Sequence, residues 1–216
     1  MALSKVNFNS LNLTPTANKT VVFNSNNNGL EAGDVGGSLT LISTQTASSS
    51  STISFTSGID STYKEYIFKF INIHPGHSSY TDFLFNMSAD SGSNYNVTKT
   101  TTYFSAISFE NGSYADIEYS TALDTAQGTG FQTLTDNTGN DNDQCLSGTL
   151  HLFDPSSTTF VKHFKSRISN AENQSAIDTF VAGYGNTTSA IDAIQFKFLA
   201  GNIDSGTIKL YGIKGS

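Results

Sequence analysis

Residues 146–168 read LSGTLHLFDPSSTTFVKHFKSRI, two β-prone runs parted by Asp154-Pro155-Ser156-Ser157. The first run, residues 149–153, holds Leu150, Leu152 and Phe153; the second, residues 158–164, holds Phe160, Val161 and Phe164. Pro155 sets φ near the value a turn wants, Asp154 can bond forward to the backbone, and serines tolerate exposure. The stretch therefore predicts a β-hairpin. A lone hairpin is marginal in water, so the rest of the chain must supply the sheet it packs on.

The rest of the chain offers strands. Leu39 and Leu41 alternate with Thr40, and Ile53 and Phe55 alternate with Thr52, Ser54 and Thr56. Residues 64–73 are apolar on both parities, with Tyr66, Phe68 and Phe70 on one and Ile67, Ile71 and Ile73 on the other. That pattern predicts a central strand covered on both faces, or one at a subunit contact, ended by Pro75. Thr81, Phe83, Phe85 and Met87 share one side of the next run, although Leu84 breaks the polarity of the other. Residues 97–109 predict a strand pair or one long bent strand. Residues 110–142 are short, polar and glycine-spaced, and predict a long loop with a helical turn around residues 116–124. Residues 177–184, then Ile194, Phe196 and Phe198, then Ile208 and Leu210 complete about nine or ten strands at sandwich spacing. No segment has helix caps with 3.6-residue periodicity. The expected fold is all-β: an antiparallel β-sandwich of jelly-roll type with an extended N-terminal arm.

The arm is set apart by composition. Residues 1–37 hold Pro15, an Asn-rich knot and three closely spaced glycines, with short extended pieces at residues 6–13 and 20–23. Such a segment is either a loose terminus or an arm that orders against a partner. The expected division is residues 1–37 as an attachment arm and residues 38–216 as the sandwich.

Charged residues make up 13% of the chain, about half of the usual ~25%, so hydroxyls and amides build the polar surface. The net charge is −7, and one Arg with scattered lysines makes no basic patch. Nucleic acid and anionic lipid are thus not expected as partners. No apolar run nears the ~18 residues that span a membrane, and the start, MALSKVNFNS, lacks the apolar core of a secretory leader. The single Cys145 has no intrachain partner, and no context that would lower its pKa is visible.

Phosphate-loop, dinucleotide, zinc-protease, nucleophile-elbow and CxxC motifs do not occur. His74 and His77 flank Pro75-Gly76 with Asp82 as the nearest further ligand, a set that suits two solvated turn histidines better than a metal. His151 and His163 are ordinary face residues. The stretch from Asp136 to Asp143, with Gly139 and Asp141, has oxygen ligands suited to calcium but lacks EF-hand spacing and a closing glutamate. The acids sit mainly in turns, which disfavours a paired-carboxylate glycosidase. Tyr95, Tyr103, Tyr114, Tyr119 and Tyr184 could stack on sugar rings. No catalytic, cofactor-binding or metal residue is assigned.

Several stretches carry a resemblance: FNSLNLTPTANKTVVFNS, YKEYIFKFINIHP, DSGSNYNVTKTT, TGNDNDQCLSGTLHLFDPSSTTFVKHF, NTTSAIDAIQFKF and AGNIDSGTIKLYGI. In these the chain resembles structural proteins of marine tailed bacteriophages, virion or tail-fibre-like jelly rolls. The resemblance implies a virion component without enzyme activity or cofactor, assembled in the host cytoplasm. On that reading the N-terminal arm attaches the chain to other virion proteins, closed symmetry makes a homotrimer the general expectation, and the loops of the sandwich are candidates to contact a host-surface glycan. A capsid decoration protein is the alternative within this class; a carbohydrate-binding module, which the absence of Trp disfavours, stands outside it.

Overall fold

The computed structural model describes residues 19–24, 26, 29–34 and 39–213. Among them are fourteen β-strands and no helix. The chain divides into two units between residues 38 and 39. In the first, β1 (Lys19–Phe23) and β2 (Leu30–Asp34) form an antiparallel hairpin, with Phe23 opposite Leu30. Asn24 N–H donates to the Gly29 carbonyl at 2.9 Å across the turn. The extended piece expected at residues 20–23 is thus a strand, and the one at residues 6–13 lies outside the described residues. What is described of the expected arm is a two-stranded hairpin.

The second unit is an antiparallel β-sandwich. Its eight-stranded sheet runs β3 (Leu39–Thr46), β14 (Asn202–Ile213), β5 (Glu65–Gly76), β10 (Leu146–Phe153), β11 (Lys162–Glu172), β12 (Ser175–Gly185), β7 (Lys99–Phe109) and β8 (Ala115–Tyr119). The facing sheet runs β4 (Ile53–Phe55), β13 (Ala193–Phe198), β6 (Thr81–Ser88) and β9 (Gln132–Thr138). Apart from the pairs β7–β8 and β11–β12, the strands pair as nested couples: β3 with β14, β4 with β13, β5 with β10, β6 with β9. Two further pairings, β14 with β5 and β13 with β6, join these couples side by side.

Several expectations are corrected. The hairpin exists, but its second strand begins at Lys162, and Leu152 faces Phe164. The connection is longer than four residues because Asp154 adopts φ 41° and accepts Ser157 N–H, while Ser157 Oγ accepts Thr159 and Phe160 N–H. Phe160 is left 71% exposed in that loop. Pro75 does not end β5; it lies opposite Ile203, beside two register shifts that relieve the ladder of its missing N–H. Asn72, at φ 50°, inserts a bulge there that turns Ile73 into the core with Phe70. Gly206 answers across the bulge at φ 113°, where a Cβ would collide with the Asn72 carbonyl. β5 is central, yet its second face is the outer surface, where Ile71 is 40% exposed. The long polar stretch after Glu110 holds two strands, β8 and β9, and between them a single hydrogen-bonded turn at residues 120–123 in place of a helix.

The core has two halves. Under β5 and β14, Phe55, Phe68, Phe70, Phe83 and Phe85 surround Phe196 at centroid distances of 5.1 to 6.5 Å. Under β7, β11 and β12 the filling is mixed: Phe164, Ile168 and Val181 are buried beside polar side chains. There Thr101, Gln132, Thr135, Asn170 and Thr179 are buried, with Tyr103 among them.

Candidate functional site

Strict alternation in β11 sends Phe164, Ser166, Ile168 and Asn170 inward and leaves His163, Lys165, Arg167 and Ser169 on the outer face of the large sheet. Register decides what each of them meets. Arg167 lies opposite Thr149 on one side and Phe180 on the other, and Phe180 lies opposite Phe104. Thr149 in turn faces Lys69, and Lys69 faces Lys209. One row of the outer face therefore runs Phe104, Phe180, Arg167, Thr149, Lys69, Lys209. The next row runs Thr102, Ala182, Lys165, His151, Ile67, Tyr211.

The side chains of the first row hold one another upright. Phe104 and Phe180 stack at 4.9 Å with planes 3° apart. The Arg167 guanidinium covers Phe180 at 4.8 Å. Two donors of Arg167, Nε and Nη2, are held by Asp178, the latter at 2.7 Å. This bidentate pair raises the guanidinium pKa above its ordinary value and fixes its plane. In the second row, His151 Nδ1 lies 2.6 Å from Glu65 Oε1, and Lys165 Nζ lies over the Phe153 ring at 5.4 Å. Ala182, between Thr102 and Lys165 in that row, is its low point. The result is a groove of about 450 Å³ lined by Phe104, Phe180, Ala182, Lys165, Arg167 and His151, with Thr149 at one end. A volume of that order suits a small ligand or a segment of a polymer.

The residues singled out from sequence are dispersed. His74 Nδ1 bonds the Gln144 carbonyl and His77 Nδ1 the Ser79 carbonyl, at 2.7 and 3.2 Å. No group of three or more His, Cys, Asp or Glu placed to hold a metal occurs among the described residues. Asp136 is half-buried. Its Oδ1 accepts the Tyr103 hydroxyl at 2.7 Å and its Oδ2 accepts Asn137 Nδ2 at 3.0 Å, whereas Asp141 and Asp143 are exposed. Asp82 accepts the Asn137 N–H, and burial together with the nearby Asp136 charge raises its carboxyl pKa. Both oxygens of Asp136 are thus engaged, and neither carboxylate lines the groove. Tyr103 is a core residue. Tyr114 and Tyr119 are exposed on or beside β8, hydrogen-bonded to Asp116 and Asp124. Tyr184 lies beside His163 at 6.1 Å. Cys145 is half-buried, and that burial raises its thiol pKa.

Sequence reasoning missed the groove. The alternation of β11 was legible, but the meeting of Phe104, Phe180, Lys165 and His151 depends on register across four strands. Lysines that look scattered along the chain, Lys69, Lys165 and Lys209, share one face with the single Arg. No protein-family model, curated protein or solved structure matches the chain.

Proposed function

We propose that this chain is a non-enzymatic structural component of a bacteriophage virion, a jelly-roll module of a tail-fibre-like appendage. The observation that carries the jelly-roll reading is the nesting of β3–β14, β4–β13, β5–β10 and β6–β9. A long antiparallel ribbon rolled into two facing sheets pairs its strands in that way, and double Greek-key sandwiches of this kind recur in viral coat proteins. The pairs β7–β8 and β11–β12 are then insertions that widen one sheet and carry the groove. Residues 1–37 serve as the attachment arm, other virion proteins and two further copies of the chain are the partners, and the chain assembles in the host cytoplasm.

Imaging of the intact particle tests this reading. Density for the chain at the single tail vertex is expected; density on the icosahedral lattice would favour the alternative, a capsid decoration protein. Deleting residues 1–37 should abolish incorporation while leaving the sandwich folded, and undiminished incorporation would refute the attachment role. A carbohydrate-binding role is favoured by one specific feature, the aromatic and cationic groove on the outer face.

A further inference from the structure

We infer that the outer-face groove binds an acidic polysaccharide, its uronate carboxylates held by Lys165 and Arg167 and its sugar ring lying in the notch at Ala182. The groove floor is low because Ala182 stands between Phe180 and Tyr184 on β12. Its walls are apolar, and the rim charge that no ion pair already engages, the Lys165 ammonium, is positive. Asp178 is bonded to Arg167 and Glu65 to His151, which leaves the Lys165 ammonium and the remaining donors of the Arg167 guanidinium to meet a ligand. On a chain with net charge −7, this concentration of cations is local. Lys69 and Lys209 continue it along the same register row, two and three strands beyond Arg167. At a strand spacing of ~4.8 Å, they lie ~10 and ~15 Å away. A linear polyanion crossing the strands would meet them in turn.

The geometry also separates ligand classes. Single-stranded nucleic acid binds on open aromatic faces. Here Phe180 has Phe104 against one face and Arg167 over the other, so no base platform is free there. Lys69 and Lys165 are drawn toward Tyr211 and Phe153, each at 5.4 Å from the ring centroid, a placement suited to a shallow ligand close to the sheet. A neutral glycan would offer no anion to the Lys165 ammonium or to the donors of Arg167 that Asp178 leaves open. A carboxylated sugar satisfies both the cations and the apolar wall.

The inference deepens the appendage reading by supplying a host-surface ligand, but its test is independent of where in a particle the chain sits. Titration calorimetry of the full chain with polygalacturonate should show binding that weakens as salt rises, with none to dextran or to oligo(dT). Ala182→Tyr should fill the notch, and Lys165→Glu should reverse the rim charge, each weakening binding ~tenfold or more. Both positions are exposed, so the melting temperature should be unchanged; should Ala182→Tyr fail to fold, Lys165→Gln replaces it. Overturning results are no binding of polygalacturonate, binding indifferent to both substitutions, or equal binding of oligo(dT). Salt-sensitive self-association abolished by the same substitutions, without polygalacturonate binding, would instead give the groove to a second copy. Absence from the tail vertex together with polyuronate binding would sink the appendage reading alone.

Discussion

The two halves of the sandwich core are filled by different chemistry. Beneath β5 and β14, Phe196 touches the rings of Phe55, Phe68, Phe70, Phe83 and Phe85, and stability there comes from apolar area and ring contacts. Beneath β7, β11 and β12, the side chains satisfy one another. Gln132 Oε1 accepts both Thr101 and Thr125 hydroxyls, and its Nε2 donates to the Leu123 and Thr133 carbonyls. Thr135 donates to Asn170 Oδ1 at 2.7 Å and pairs with the Thr179 hydroxyl at 3.0 Å. Apolar contacts are forgiving of direction, whereas a buried hydrogen bond left unmade is costly. The aromatic half therefore supplies most of the cohesion, and the polar groups of the other half fix the register of the strands that carry the groove.

Removing the centre of the aromatic half should have the largest effect. Phe196→Ala leaves a cavity shared by five rings and should cost ~3–5 kcal/mol, read from the shift in urea midpoint at constant slope. A cost near that of an ordinary surface substitution would mean that the rings are not a cooperative cluster.

The halves also differ in how visible they are in the sequence. The aromatic half announces itself, since Ile194, Phe196 and Phe198 alternate with Gln195 and Lys197, and Phe83, Phe85 and Met87 share one parity despite Leu84. Alternation fails for β9 because Gln132 and Thr135 face inward beside Leu134, so a buried strand reads as a polar loop. β8 is exposed along its whole length and has no pattern to show. At β5 the bulge at Asn72 shifts the parity of Ile73, and no residue type signals a bulge reliably. The groove is harder still: each strand's outer residues can be read off, but the partner opposite each depends on pairing between segments far apart in sequence.

The polar half should also respond to alkali. Lys99 is buried in β7, donating to the Gly130 carbonyl at 2.6 Å, and burial lowers its pKa from 10.5 to about 8. Between those values the unfolded chain binds more proton than the folded one, so stability rises with pH across that window. The gain is at most ~3 kcal/mol. Lys162, whose pKa burial also lowers, acts in the same direction. Tyr103, whose phenol is pushed up by burial and by Asp136, opposes both only above pH ~10, and the Cys145 thiol, raised by burial, opposes them weakly above pH ~9. Denaturant midpoints measured from neutral pH to pH ~10 should climb in the native protein and climb less in Lys99→Met. Identical profiles for the native protein and Lys99→Met would show that the amine reaches water.

The smallest effect sharpens the comparison most, because it isolates one hydrogen bond between the sheets. Thr135 belongs to β9 and Thr179 to β12, and their hydroxyls meet at 3.0 Å in a site closed to solvent. Thr179→Val strands one hydroxyl bond and should cost ~1 kcal/mol. Thr135→Val should cost ~2 kcal/mol, because it also deprives Asn170 Oδ1 of its donor. The double substitution should fall short of the sum by roughly 0.5–1 kcal/mol, since the bond can be lost only once. Register fixed by direct pairing requires that shortfall. Strict additivity would mean that the two hydroxyls act independently, and β9 and β12 would then owe their alignment to the ladder alone.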